Sequence, residues 1–170
     1  KSVLLDARPG YGWVSEESEH SRTGDPGQAQ SCFFVVDPID GTRAYLRGEA
    51  TWCVSLALVS KGRPIAGVIH APALGEVFLA TDEGEATCNG RPIEAGRRGG
   101  ERADEALSVA LPDQLRGRFD RLGGDLRDAV EPARSVPSLA YRLALVADGR
   151  LDATLIRPRS NDWDIAAGDL

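Results

Sequence analysis

The chain of 170 residues is 42% hydrophobic and 27% charged, a composition typical of a folded domain rather than a disordered or fibrous chain. Its net charge of −6 disfavours a general nucleic-acid-binding protein, because counterion release requires a basic face. The longest apolar run, residues 54–59, is far shorter than the roughly 18 residues that a membrane span requires. We therefore predict a soluble protein that binds neither a nucleic-acid polymer nor a membrane.

The cysteines, Cys32, Cys53 and Cys88, are odd in number and form no C-x-x-C pair. They are predicted to be buried free thiols in a reducing compartment rather than a disulfide or a zinc site. The N-terminus lacks the charged and then apolar stretch of a secretory signal, which favours the cytoplasm. The chain contains no methionine and stops where a helix begins, so we predict a fragment that lacks both termini.

The first half of the chain predicts a sheet. Residues 33–36, a short run of aromatic and β-branched residues, indicate a buried strand that Asp37-Pro38 ends. A helical turn is expected at 43–47. Further strands are predicted at 12–14, 52–59, 64–70 and 76–80. Turn residues separate the last three of these, and Asn89-Gly90 is typical of a tight hairpin turn, so we expect an antiparallel meander.

The second half mixes helices and strands. Residues 94–104 are rich in Gly, Arg and Glu and predict an exposed connector between two αβ subdomains, 1–95 and 96–170. The clearest helix has Ser138 as its N-cap, carries apolar residues at helical spacing, and ends at Asp148-Gly149. The other elements are predicted as strands at 107–111 and 151–156 and helices at 114–122 and from 163. The fold class is α/β (α+β), with elements in layers.

Asp37 and Asp40 lie three residues apart at the predicted end of a strand, and Pro38 restricts the backbone between them. Both carboxylates can then point at one spot, where they stay ionised only beside a cation. Oxygen ligands select hard ions such as Mg²⁺. Gly41 and Thr42 follow with backbone N–H groups and a hydroxyl that suit a phosphate. Alternatively, Asp40-Gly41 is an ordinary turn between two strands.

Two further acidic clusters bear on this choice. Glu16-Glu17 follows the predicted strand at 12–14, and Asp162 and Asp164 open the last helix. Each cluster alone is typical of a solvated loop or an N-cap, but the three together favour one shared metal site. A calcium-binding structural domain would hold its ligands in one contiguous loop, whereas these are spread between residues 16 and 164.

Three segments resemble the signature motifs of the inositol monophosphatase family, which consists of lithium-sensitive, Mg²⁺-dependent phosphatases. They are Ser-Glu-Glu-Ser at 15–18, Asp-Pro-Ile-Asp-Gly-Thr at 37–42 and Trp-Asp-Ile-Ala-Ala-Gly at 163–168. Intervening stretches such as 67–72 and 88–90 also resemble the family, so the resemblance covers nearly the whole chain. It implies a layered αβαβα sugar-phosphatase-type fold, incomplete at both ends here, and a homodimer, which is common among the relatives.

The resemblance also implies the metal ligands. Carried over residue by residue, Glu16, Asp37 and the backbone carbonyl of Ile39 would hold one Mg²⁺ ion. Asp37, Asp40 and Asp164 would hold a second.

The remaining site residues follow from the same resemblance. The backbone at Gly41 and Thr42 would bind the phosphate, and Asp164 would also belong to the substrate site. The Thr42 hydroxyl would help to orient the attacking water, with Asp40 and Glu16 completing the catalytic set. The family also carries an acidic residue far upstream of the first motif, which has no counterpart in this chain.

Several functions stay open at this point. A small phosphorylated substrate is expected, with inositol monophosphate ranked first. Arginines beside the motifs would hold a second phosphate and favour a 3'(2'),5'-bisphosphate nucleotide. The arginines are Arg43, Arg47, Arg157 and Arg159, and Tyr45 lies between the first two. The pattern is equally typical of solvated residues on the protein surface. Thr42-Arg43 resembles some histidinol-phosphate phosphatases. The rival from another class is a non-catalytic relative that binds metal or phosphate.

Overall fold

A computed structural model describes residues 1–18, 31–96, 106–119, 121 and 123–170. Seven strands form the larger sheet in the order in which they occur along the chain. They are β1 Gly12–Ser15, β2 Cys32–Asp40, β3 Cys53–Ser60, β4 Arg63–Ala71, β5 Glu76–Thr81, β6 Thr87–Cys88 and β7 Arg91–Pro92. The β1–β2 pair is parallel and all later pairs are antiparallel, which confirms the predicted meander.

A second, smaller sheet is built from the later part of the chain. Its parallel strands are β8 Leu107–Ala110, β9 Val130–Pro132 and β10 Ala153–Thr154, with β8 in the middle. The helices are α1 Ser2–Ala7, α2 Thr42–Leu46, α3 Asp113–Phe119, α4 Asp125–Asp128, α5 Leu139–Ala147 and α6 Asp162–Ile165. A 3₁₀ turn, Ala166–Gly168, continues α6. This mixture of helices and sheets confirms the predicted α+β class.

The core lies between the large sheet and the helices from the end of the chain. Burial alternates along β3, as the period of two in a strand requires, so its buried face includes Ala57. Ala140 and Ala144 of α5 belong to the same apolar cluster. Gly67 of β4 allows the 3₁₀ turn to approach closely, since a Cβ there would lie 2.8 Å from the Ala167 carbonyl oxygen.

The predicted limits of α5 are confirmed. The Ser138 hydroxyl accepts a hydrogen bond from the Tyr141 N–H at 3.0 Å, which is the N-cap contact. At the other end Gly149 has a φ of 67°, a conformation that glycine adopts without the steric cost of a Cβ. None of the helices in the described part of the chain has the length and apolarity to cross a membrane.

Several boundaries differ from the sequence predictions. Asp37-Pro38 does not end β2, because the strand continues to Asp40, which pairs with Cys53 after a register shift. The strand predicted at 151–156 is confined to β10, and the strand β9 and the helix α1 have no counterpart among the predictions. The predicted helix at 114–122 begins one residue earlier, at Asp113, and is described as far as Phe119.

Two sequence predictions concern segments that the structure describes only in part. Residues 97–105 of the predicted connector lie outside the described residues, and the boundary between residues 95 and 96 stays a prediction.

The thiols of Cys32, Cys53 and Cys88 are free, as predicted, although only Cys53 is fully buried.

Candidate metal centre and active site

The centre of the site is the C-terminal end of β2. Asp37 is 2% exposed and accepts a hydrogen bond from the Ile39 N–H at 2.9 Å. Asp40, the last residue of the strand, is 7% exposed. The register shift between the two residues accommodates Pro38, which has no N–H for the ladder. Both buried carboxylates therefore belong to one strand end.

Asp40 is held by the N-terminus of α5. The Ser138 hydroxyl donates to Asp40 Oδ2 at 2.7 Å, and the Ala140 N–H donates to the same oxygen at 2.6 Å. Ser138 is 0% exposed, and its Oγ also lies 3.3 Å from Cys53 Sγ. The sequence predicted Ser138 as an N-cap only. Its contact with Asp40, 98 residues earlier, leaves no signal in the local pattern.

Asp164 reaches the same place from α6. It belongs to a capping box with Asn161, whose N–H donates to Asp164 Oδ2 at 3.1 Å. The Ser55 hydroxyl donates to the Trp163 carbonyl at 3.2 Å, which attaches this helix to β3. One carboxylate oxygen from each of Asp37, Asp40 and Asp164 lies within 4.8 Å of the others. We call these three residues the acidic cluster.

The electrostatics of the acidic cluster are unfavourable without a counter-charge. Burial, reinforced by the nearby charge of Asp40, raises the pKa of Asp37 to about 7. Burial also raises the pKa of Asp40, although the hydrogen bonds from Ser138 and Ala140 oppose this shift. A divalent cation bound between them would favour the ionised form of both carboxylates and so lower both pKa values again. An all-oxygen donor set suits a hard ion such as Mg²⁺. The donor chemistry therefore fits the predicted metal.

The other predicted ligands lie at the edge of this cluster. Glu16 follows β1 in a 3₁₀ turn and is exposed, and it lines the same cavity without being one of the three converging carboxylates. Ile39 also lines the cavity, and its carbonyl accepts a hydrogen bond from the Thr42 hydroxyl at 3.0 Å.

Gly41 and Thr42 form the start of α2 directly after Asp40. Gly41 has a φ of 87°, and a Cβ there would lie 3.1 Å from the Ser138 Cβ and 3.2 Å from the Thr51 carbonyl oxygen. Any other residue here would have a strained backbone, and its Cβ would lie unusually close to Ser138 and Thr51. Both residues line the cavity beside the acidic cluster.

A cavity of about 280 Å³ contains all the predicted site residues. Its lining includes four carboxylates, from Glu16 and the acidic cluster. It also includes four arginines, Arg43, Arg47, Arg142 and Arg157. The sequence drew attention to three of these arginines. Arg142 was missed, because within the helical pattern of α5 it is a single polar residue. Tyr45 and Arg159 do not belong to the lining.

The αβ fold and the acidic cluster define the general class, an αβ protein with a candidate metal site in an open cavity. The sequence model of the inositol monophosphatase family matches residues 1–170. An inositol-1-monophosphatase of Mesorhizobium japonicum is 36% identical over 97% of this chain and 61% of its own length. The Nus factor SuhB of Xylella fastidiosa is 35% identical over 98% of this chain and 59% of its own length.

Solved structures agree with this relationship. The extragenic suppressor protein SuhB of Bartonella henselae has a TM-score of 0.75 and 32% identity, covering 97% of this chain and 62% of that structure. This chain thus belongs to the inositol monophosphatase family. It spans about three fifths of the length of the relatives named above.

Proposed function

We propose that the protein is a Mg²⁺-dependent phosphomonoesterase that hydrolyses a small phosphorylated metabolite, with inositol monophosphate as the first candidate. The observation that carries this proposal is the convergence of Asp37, Asp40 and Asp164 within 4.8 Å in a cavity that Gly41 and Thr42 also line. The M. japonicum relative, an inositol-1-monophosphatase, supports the substrate.

The proposed metal ligands are the carboxylates of Glu16 and the acidic cluster, together with the backbone carbonyl of Ile39. Glu16, Asp37 and the Ile39 carbonyl would hold one ion, and Asp37, Asp40 and Asp164 a second. Bound Mg²⁺ would supply Lewis-acid stabilisation of the charge on the phosphoryl oxygens. The protein's own contribution is to hold the carboxylates in a fixed arrangement, as Ser138 and Ala140 do for Asp40.

Thr42 is proposed to orient the attacking water. Its hydroxyl proton is used in the hydrogen bond to the Ile39 carbonyl, so its oxygen can only accept a further hydrogen bond. A water beside it would therefore donate a proton toward Thr42 and direct a lone pair elsewhere. Backbone N–H groups at Gly41 and Thr42 would bind the phosphate. Asp40 and Glu16 complete the proposed catalytic set, and Asp164 contributes to the substrate site.

Other assignments remain part of this proposal. Lithium sensitivity, a cytoplasmic location and a homodimer are expected for such an enzyme. A 3'(2'),5'-bisphosphate nucleotide or histidinol phosphate would be hydrolysed by the same arrangement of groups. A non-catalytic relative would bind Mg²⁺ or phosphate without releasing product.

The test is Mg²⁺-dependent phosphate release from inositol 1-phosphate, adenosine 3',5'-bisphosphate and histidinol phosphate, with and without lithium, by the protein and its Asp40→Asn variant. We expect the variant to lose about a hundredfold or more of the rate, because metal stabilisation of the transition state contributes several kcal/mol. Asp82→Asn, on an exposed hairpin turn outside the cavity, is the matched control. A folded protein that binds Mg²⁺ and releases no phosphate from any of the three substrate classes would overturn the enzymatic proposal.

A further inference from the structure

Strand β3 carries a buried polar side chain beside the acidic cluster. The strand pairs antiparallel with β2, and Ser55 is the register partner of Asp37. Residues directly opposite each other in an antiparallel pair point to the same face of the sheet. Both side chains are buried, with Ser55 1% and Asp37 2% exposed. Ser55 therefore lies next to a carboxylate of the acidic cluster, on the same face of the sheet.

A hydroxyl group at this position contrasts with the rest of the buried face of β3. The next buried residues of the strand, Ala57 and Val59, are apolar and belong to the core. Burial removes a hydroxyl from water at a cost that only a hydrogen bond offsets, so packing alone would favour an alanine here. Ser55 has such a bond, because its hydroxyl donates to the Trp163 carbonyl at 3.2 Å. The serine thus attaches β3 to one particular segment.

That segment is α6, the helix that carries Asp164. With four residues it is too short to be stable by itself, so its orientation depends on tertiary contacts. The carbonyl that Ser55 holds belongs to the residue immediately before Asp164. The capping box with Asn161 fixes Asp164 within α6, but both of its members belong to the start of that helix. Ser55 links the helix to the strand pair that carries Asp37.

We propose that Ser55 is a positioning residue that sets the spacing between Asp37 and Asp164 and thereby determines the Mg²⁺ affinity of the acidic cluster. This inference rests on the metal site of the proposed function. Ser55 is not itself a ligand, because its hydroxyl proton is used in the bond to Trp163 and it acts through Asp164. Mg²⁺ requires near-ideal octahedral geometry, so a small displacement of one carboxylate lowers its affinity.

The experiment is a double-mutant cycle read out by metal binding. Calorimetric titration measures the Mg²⁺ affinity of the protein, of Ser55→Ala, of Asp164→Asn and of the variant with both substitutions. Ser55→Cys is a second variant, which keeps the side-chain volume close to that of serine and leaves only a weak donor. Ser60→Ala, the same substitution at the other end of β3, is the matched control. Urea unfolding without Mg²⁺ records the stability of each variant.

We expect Ser55→Ala to weaken Mg²⁺ binding about fivefold or more, and Ser55→Cys to weaken it less. Ser60→Ala should leave the affinity within about twofold of the unmodified protein. In the Asp164→Asn background, the further change Ser55→Ala is expected to alter the affinity by less than about twofold, because both substitutions act through the same carboxylate.

Two results would overturn the positioning role. One is a lower urea midpoint with unchanged Mg²⁺ affinity in both Ser55 variants, which would show that the residue only stabilises the fold. The other is an additive effect of Ser55→Ala in the Asp164→Asn background. Phosphate release by the unmodified protein would leave the phosphatase proposal in place in both cases. Ser55-dependent Mg²⁺ binding without phosphate release from any of the three substrates would support the positioning role and contradict the phosphatase proposal.

Discussion

Asp40 shows how one side chain depends on a distant one. It is 7% exposed, so its charge is stable only where donors or cations face it. Ser138 and Ala140 donate to the same oxygen at 2.7 and 2.6 Å. Ser138 thus has two functions, because its oxygen caps α5 and its proton positions Asp40. Outer contacts of this kind usually control metal affinity.

The variant Ser138→Ala tests this arrangement. It removes the hydroxyl proton that faces Asp40 and the oxygen that accepts from Tyr141 N–H. We expect Mg²⁺ affinity to fall about tenfold or more, and the free energy of unfolding to fall by about 1–2 kcal/mol. Calorimetric titration and urea unfolding measure the two effects. Ser60→Ala, at the opposite end of β3, is the control, and unchanged Mg²⁺ affinity in Ser138→Ala would contradict the positioning role.

Local patterns could identify some site residues and not others. Asp37 and Asp40 were predictable, because their spacing at a strand end is itself informative. Asp164 was predictable only through the three motifs considered together. Ser138 was recognised as a cap, but its contact with Asp40 depends on tertiary packing. Arg142 left no signal, since helical spacing shows which face is apolar and not which polar residue reaches a cavity.

At the scale of elements, β5 and α5 are joined by a polar network away from the acidic cluster. Glu76 accepts hydrogen bonds from the Tyr141 hydroxyl at 2.8 Å and from Arg150 at 2.8 and 3.1 Å. Arg150 also forms an ion pair with Asp148 at 2.6 Å. Burial acts to raise the pKa of Glu76, but the contacts with Arg150 and Tyr141 outweigh it and lower this pKa below its usual value.

This network predicts a pH-dependent loss of stability in Glu76→Gln. Because the folded-state pKa of Glu76 is lowered, its stabilisation is present above the unfolded value of 4.5 and is lost as the pH falls through the folded value. The Arg150 side chain is 35% exposed, so solvent screening limits the effect to about 1 kcal/mol at pH 7. Urea unfolding at several pH values measures the difference in the free energy of unfolding between the protein and Glu76→Gln. We expect this difference to shrink below pH 4.5. A difference that stays constant with pH would contradict the charge argument, and Glu83→Gln at an exposed turn serves as the control.

Strong periodicity made some elements predictable. Strand β3 alternates between buried and half-buried residues, and α5 has a cap, an apolar face and a glycine stop, so both were predicted closely. The extension of β2 to Asp40 was not predicted, because it depends on pairing with Cys53 across a register shift. Strand β9 is three residues long, too short for its own pattern to identify it.

At the scale of the whole molecule, the candidate site combines distant parts of the chain. The strand β2 supplies two carboxylates, α5 holds one of them, and α6 supplies the third. If the predicted division into residues 1–95 and 96–170 is correct, each subdomain contributes necessary groups. Neither segment alone would then form the acidic cluster.

The most direct test of this account is a calorimetric titration of Mg²⁺ into the protein, Asp164→Asn and Asp162→Asn. Both substitutions lie in the first turn of α6, but only Asp164 belongs to the acidic cluster. We expect Asp164→Asn to weaken Mg²⁺ binding about tenfold or more, and Asp162→Asn to leave it within about twofold. Absence of Mg²⁺ binding by the unmodified protein, or equal effects of the two substitutions, would contradict the assignment of this cluster as the metal centre.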